Sequence, residues 1–231
     1  MSPSKLAAAT SGLALLFTAP VVAGGSIQGS ISFTGPAPEA KTVERKSDPV
    51  CAKAGPLTDD SIVLSKDGTR LANVLVRITS GQPPAAPAEP VVINQTGCTY
   101  KPRVQGAIVG QKIQIKNGDP TLHNVHGYAG TRTIFNMAQP PKAPDLNKTI
   151  ADGDVVKLKC DVHPWMISWV VFSKGPFARS GDDGSYQIQS LAPGQYTLEA
   201  WHEKLGTKTA QVTVEEGKAA TVDFSFAAHT N

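Results

Sequence analysis

Apolar and polar residues alternate in short runs along most of the chain. Ten runs show the pattern: SIQGSISFTG (26–35), LANVLVRIT (71–79), PVVIN (90–94), QKIQIKN (111–117), VVKLKC (155–160), ISWVVFS (167–173), SYQIQSL (185–191), QYTLEAW (195–201), TAQVTV (209–214) and ATVDFSF (220–226). A period of two is typical of strands that bury one face, and turn-forming residues separate the runs. No window of useful length shows the 3.6-residue period of a helix. The pattern therefore predicts an all-β protein.

Proline and glycine divide the chain into segments. The stretch GQPPAAPAEP (81–90) contains four prolines, which favour an extended linker over a packed element. A second boundary is expected near Lys174-Gly175-Pro176. These features predict an N-terminal β segment over 24–85, a middle domain over 86–175 and a C-terminal β-sandwich over 176–227. The stretch PPKAPDLNKT (140–149) is interpreted as a surface loop.

The first 23 residues are typical of a secretory signal peptide. Lys5 is their only charged residue, an apolar stretch of small residues follows, and Val21-Val22-Ala23 suits cleavage before Gly24. We therefore expect an exported protein, periplasmic or secreted, with no membrane span after signal removal. Loss of Lys5 would reduce the net charge from +3 to +2, which is too small to indicate binding to nucleic acid.

Three soft side chains lie close together in KCDVHPWM (159–166). Cys160, His163 and Met166 follow one another at intervals of three, at the end of one predicted strand and in the loop after it. A thiolate, an imidazole and a weakly bound thioether are three of the four ligands of a blue-copper centre. A zinc site would normally contain more thiolates or have zinc-finger spacing. The segment thus predicts a copper site that lacks one histidine.

The segment GDPTLHNVHGY (118–128) offers two candidates for that histidine, His123 and His126. Residues three apart on a strand point to opposite faces, so one ion would not bind both easily. At this point the residues alone leave the choice between them open.

Residues 90–173 resemble the cupredoxins, the type 1 blue-copper proteins, and among them most closely the amicyanins. The resemblance runs through GQKIQIKN, HNVH, CDVHPWM and WVVF. It implies a Greek-key β-sandwich that binds one copper ion through His123, Cys160, His163 and Met166. It also implies that Asn124 ties the two ligand loops together. His126 is then not a ligand, and Met137 is the alternative axial group.

The resemblance also bears on the odd number of cysteines. An exported protein is expected to pair its cysteines, and Cys51, Cys98 and Cys160 cannot all pair within one chain. If copper holds Cys160 as a thiolate, Cys51 and Cys98 remain as a disulfide pair. The alternative is two buried thiols.

The segment DDGSYQIQSLAPGQYTLEAW (182–201) is similar to the carboxypeptidase regulatory-like module, a small prealbumin-type β-sandwich. The stretch GSIQGSISFTGPAP (25–38) is similar to the first strand of the same module, which would make the middle domain an insertion in, or a neighbour of, a split sandwich. We find no catalytic set in either flank, and His202, a lone histidine at a strand end, is interpreted as a surface residue.

These observations predict an exported, monomeric copper protein that carries single electrons between redox partner proteins and is not an enzyme. The alternatives are a copper-binding or delivery protein without redox partners, and an adhesion or sugar-binding sandwich with a vestigial site. We expect His163 to lie at the exposed edge of the site, nearer solvent than His123. It would then leave reduced copper and take a proton at mildly acid pH, as amicyanin does.

Overall fold

A computed structural model describes residues 24–39, 41–80, 87–151 and 154–228. The predicted signal peptide and residues 81–86 of the proline-rich linker lie outside these ranges. The described part is built of strands, with one five-residue helix, so the all-β prediction is confirmed. In this part no helix has the length and apolar character needed to cross a membrane.

The strands fall into three consecutive groups along the chain. The first group is β1 (Gly25–Thr34), β2 (Thr42–Val43), α1 (Pro49–Lys53), β3 (Leu57–Thr58) and β4 (Leu75–Ile78). The second is β5 (Val91–Gln95), β6 (Tyr100–Lys101), β7 (Val104–Ile108), β8 (Lys112–Asn117), β9 (His123–Ala129), β10 (Arg132–Gln139), β11 (Leu146–Thr149), β12 (Val155–Lys159) and β13 (Ile167–Ser173). The third is β14 (Phe177–Arg179), β15 (Ser185–Leu191), β16 (Gly194–His202), β17 (Gly206–Val214), β18 (Ala219–Thr221) and β19 (Phe224–Ala227).

Strands β1 and β4 of the first group share one sandwich with the third group. Strand β1 pairs with β15, β18 and β19, while β4 lies between β14 and β16 in the facing sheet β14-β4-β16-β17. Apolar side chains of both sheets, such as Ile27, Ile31, Leu198 and Phe226, form one buried cluster between them. Strands from the two ends of the sequence therefore build a single β-sandwich.

The second group, which lies between the other two along the chain, forms a separate sandwich. Its sheets have the orders β10-β9-β12-β13-β7 and β11-β8-β5-β6. Ile93 and Ile115 from one sheet meet Val125, Leu158 and other residues from the second in a separate buried cluster. The stretch 140–149 is not wholly a loop, since Leu146–Thr149 forms β11 and pairs with β8, so that interpretation is wrong at its end.

The two sandwiches pack directly against each other. Leu75, Val104 and Val171 are buried between them, and the ring centroids of Trp169 and Trp201 are 5.4 Å apart. The guanidinium of Arg103 donates to both carboxylate oxygens of Glu203 across this seam. Apolar packing and a buried ion pair therefore join the two sandwiches.

His202 ends β16 and is only 2% exposed, so its interpretation as a surface residue is wrong. Its Nδ1 accepts hydrogen bonds from the backbone N–H groups of Lys204 and Leu205, and its ring faces Phe226. Burial, together with the positive charges of Arg103 and Lys204, lowers the pKa of His202 to about 4 from an ordinary 6.5. The folded protein therefore holds this imidazole neutral in weakly acid solution.

This lowered pKa predicts a loss of stability on acidification. His202 takes up a proton near pH 6.5 in the unfolded chain but only near pH 4 in the folded chain. Protonation therefore favours the unfolded state, and the free energy of unfolding decreases as the pH falls through this window. We expect a loss of up to about 3 kcal/mol. Urea unfolding at several pH values measures it. His202→Asn, which keeps a hydrogen-bond acceptor, should flatten the profile, and an equal slope in both proteins would contradict the prediction.

Candidate metal centre

The register of the second sandwich brings the predicted ligands together. His123 is the first residue of β9, and Cys160 directly follows β12, the neighbour of β9 in the sheet. His163 and Met166 lie in the short connection from β12 to β13, which pair with each other. Hydrogen bonds from Met166 N–H to His163 O and from Cys160 N–H to Met166 O close this connection into a tight loop. Neighbouring strand ends therefore bring His123, Cys160 and His163 together, and Met166 lies at the end of the same loop.

The donor atoms converge in the interior. Nδ1 of His123 lies 3.0 Å from Nδ1 of His163, and Sγ of Cys160 lies 3.8 Å from the latter. One donor atom from each of these three residues falls within 4.8 Å of the others. Met166 is fully buried in the same apolar cluster as Cys160. The arrangement can hold a cation between a thiolate and two imidazoles, with a thioether in the adjoining core.

Two carboxylates determine how the imidazoles are protonated. Nε2 of His123 lies 2.9 Å from Oδ2 of Asp119, and Nε2 of His163 lies 3.4 Å from Oδ2 of Asp48. A neutral imidazole has one N–H donor and one acceptor nitrogen, and a carboxylate can only accept. For neutral rings, these contacts favour a hydrogen on each Nε2, and each Nδ1 is then the acceptor nitrogen that faces the other ring. Burial, opposed by Asp119, lowers the pKa of His123, which favours this neutral form.

The thiol of Cys160 receives one hydrogen bond from the backbone. Asn124 N–H donates to Cys160 Sγ at 3.4 Å. The Asn124 side chain donates to the Asp161 carboxylate and accepts from the Asp161 N–H. Asn124 thus joins the start of β9 to the loop that follows Cys160, which is the place the resemblance gave it.

The two alternative ligands lie elsewhere. His126 is on the other face of β9, where its ring nitrogens contact Asp161 and Thr133. Met137 is 38% exposed on β10. Neither belongs to the buried cluster of donor atoms, which includes His123, and Met166 is buried in the adjoining apolar core.

The expected exposure of His163 is wrong. Its side chain is only 1% exposed, because residues 42–58, here called the strap, cover it. The strap contains β2, α1 and β3, and Cys51 of α1 is joined to Cys98 by a disulfide. Sγ of Cys51 lies 3.6 Å from Nε2 of His163, and the ring of Trp165 lies 5.2 Å from the imidazole ring. The histidine edge is therefore enclosed by protein.

Several polar contacts fix the strap in this position. Arg45 donates to the carbonyl oxygens of Gly55, Ala54 and Gly97, which links the strap to the loop that carries Cys98. Asp48 caps α1 by accepting from the N–H groups of Val50 and Cys51, and its second oxygen accepts from the Thr121 hydroxyl. The capping residue Asp48 before Pro49 is a helix-start signal that the sequence contained. That signal gives no indication of where the helix packs.

Comparisons with known proteins give two kinds of likeness. Residues 173–227 match the family model described as the carboxypeptidase regulatory-like domain. Among solved structures, the chain is similar to a purple cupredoxin from Nitrosopumilus maritimus, with 21% identity over 36% of this chain and 99% of that chain and a TM-score of 0.32. It is also similar to amicyanin from Paracoccus versutus, with 20% identity over 42% of this chain and 97% of that chain (TM-score 0.34). A third similar structure is a copper-containing nitrite reductase from Thermus scotoductus SA-01, with 16% identity over 42% of this chain and 25% of that chain (TM-score 0.34). No curated protein matches the chain.

Proposed function

We propose that this protein is an exported electron carrier with one type 1 copper ion bound by His123, Cys160, His163 and Met166. The observation that carries the proposal is the approach of the two imidazole Nδ1 atoms to 3.0 Å, with the Cys160 sulfur 3.8 Å from Nδ1 of His163. If both Nδ1 atoms are unprotonated, their lone pairs repel each other unless a cation lies between them. A metal ion bound there would accept electron pairs from both nitrogens and from the sulfur.

The chemistry of the donors selects copper. Two imidazoles and one thiolate, with a thioether as the weak axial group, suit a copper ion that alternates between Cu(I) and Cu(II). Such a centre supplies one-electron transfer, and the protein's contribution is to keep the ligands in place during that change. Burial of all four side chains supports this role, because packed side chains in a dry core change position little.

The same burial favours an electron carrier over a delivery protein. A protein that hands its ion to a partner needs ligands that the partner can reach. Here the strap and the disulfide enclose His163, and the other three ligands lie in the core. The disulfide also suits an oxidising compartment, in line with a periplasmic or secreted protein. We propose a redox partner protein and no substrate turnover.

Copper titration of the mature protein tests the proposal. We expect uptake of one Cu(II) per chain, an intense visible absorption band from the thiolate, and a reversible one-electron reduction. A colourless complex, or a second ion bound with equal affinity, would contradict an electron carrier of this type. Colour without reversible reduction would favour the delivery protein instead.

A further inference from the structure

The strap contributes a charged group to the candidate centre. Asp48 occupies the start of α1, far in sequence from the ligands, and its Oδ2 lies 3.4 Å from Nε2 of His163. Asp119 approaches His123 in the same manner, and its carboxylate also accepts from the N–H groups of Gly97 and Cys98. Each candidate histidine ligand thus has one carboxylate on the side opposite its donor atom.

We propose that Asp48 is a positioning residue of the copper centre: it holds His163 with Nδ1 towards the ion, and its negative charge favours Cu(II) over Cu(I). The inference rests on the proposed function and assigns a role to the strap within it. A carboxylate that accepts from the far nitrogen of a ligand histidine fixes the tautomer and ring orientation and makes the imidazole a stronger donor. Stronger donation stabilises the more highly charged oxidation state.

The two oxygens of Asp48 are divided between tasks. Oδ1 caps α1, while Oδ2 faces Thr121 and His163. The geometry of the helix start therefore aims one oxygen at the site.

This division of tasks makes Asp48→Asn a selective variant. Asparagine caps helices as well as aspartate does, so its oxygen can retain the contacts with α1. Its amide nitrogen would then replace Oδ2, donate to the Thr121 hydroxyl and present a hydrogen, in place of an acceptor, to His163 Nε2. The variant removes the charge and the acceptor while it keeps the shape of the strap.

We expect Asp48→Asn to raise the reduction potential of the copper centre. Outer partners of metal-bound histidines typically alter metal binding by about 10- to 100-fold, and we expect the ratio of Cu(I) to Cu(II) at a fixed potential to rise about tenfold. For a one-electron couple this is about 59 mV. Voltammetry of the copper-loaded proteins measures the shift. Glu44→Gln is the matched control: it removes the same charge from an exposed position on the strap, where Glu44 pairs with Lys46, and it should leave the potential unchanged.

A second measurement needs no copper. Nitrogen-15 NMR of the metal-free protein reports which ring nitrogen of each histidine carries the hydrogen, and we expect Nε2–H for both His123 and His163. In Asp48→Asn the Nε2–H signal of His163 should shift or exchange with the other tautomer, while that of His123 stays. A purely structural Asp48 would give an unchanged His163 signal.

The outcomes separate the two proposals. If the wild-type protein binds no copper or gives no thiolate band, the proposed function fails, and the tautomer measurement still tests the contact between Asp48 and His163. If Asp48→Asn keeps the copper and the band, but its potential equals that of Glu44→Gln, only the role of Asp48 is overturned. An equal shift in both variants would show a general charge effect and would overturn it as well.

Discussion

Replacement of Cys160 by serine should abolish the intense visible absorption of the copper-loaded protein. The band requires a soft thiolate bonded to Cu(II), and a serine hydroxyl is neither soft nor ionised at neutral pH. The fold should survive, because serine is close to cysteine in size and its oxygen can accept the hydrogen bond from the Asn124 N–H. Absorption spectra of copper-loaded wild-type and Cys160→Ser protein at equal copper content measure the effect.

Two methionine variants provide controls for this result. Met166→Leu should keep the band and raise the potential, since it removes only the weak axial thioether. Met137→Leu should change neither property, because Met137 lies partly exposed on β10. A band that survives in Cys160→Ser would disprove the thiolate assignment. A shift in Met137→Leu without one in Met166→Leu would disprove the axial assignment.

The candidate ligands were predictable because their information is local. Cys160, His163 and Met166 lie within seven residues, on a strand end and the tight loop that follows it. The alternation along β9 also separates His123 from His126, since residues three apart on a strand face opposite ways. The residues themselves therefore contained the candidate ligand types and their order, whereas the choice of His123 over His126 came from the family resemblance.

The strap could not be predicted from the sequence. Residues 42–58 show no sustained alternation, and their elements are two-residue strands and a five-residue helix. Their position depends on contacts between residues far apart in sequence, such as Cys51 with His163, 112 residues away. The error about the exposure of His163 follows from this. A short loop after a strand is normally open to solvent, and only the distant strap closes it.

Strands β10 and β11 were missed for a related reason. Strand β10 (Arg132–Gln139) is largely exposed, and β11 (Leu146–Thr149) is a polar edge strand next to a proline-rich turn. Each is held by backbone pairing with a neighbouring strand and buries little apolar surface. A sequence pattern based on hydrophobic burial gives little signal for such strands.

Removal of the Cys51–Cys98 disulfide should lower the free energy of unfolding by about 4 kcal/mol. The bridge spans 47 residues, and cross-linking a loop of that size restricts the unfolded chain by this amount on the chain-entropy account. The double variant Cys51→Ala/Cys98→Ala avoids placing hydroxyl groups at two buried positions. Urea unfolding of the copper-free proteins measures the difference. Labelling of unfolded, copper-free wild type should modify one thiol per chain, Cys160, whereas three reactive thiols would contradict the bridge.

The copper spectrum of the same double variant separates the strap from the ligands. His123, Cys160 and Met166 are held by the second sandwich, and the strap keeps its contacts from Arg45 to Gly97 and from Asp48 to Thr121. We therefore expect the thiolate band to persist although the protein unfolds more readily. Loss of the band would mean that the bridge itself holds His163 in place. If the free energy of unfolding decreased by much less than about 1 kcal/mol, the estimate from loop closure would be contradicted. Such a result would mean that Arg45 and Asp48 already restrict this part of the chain before folding is complete.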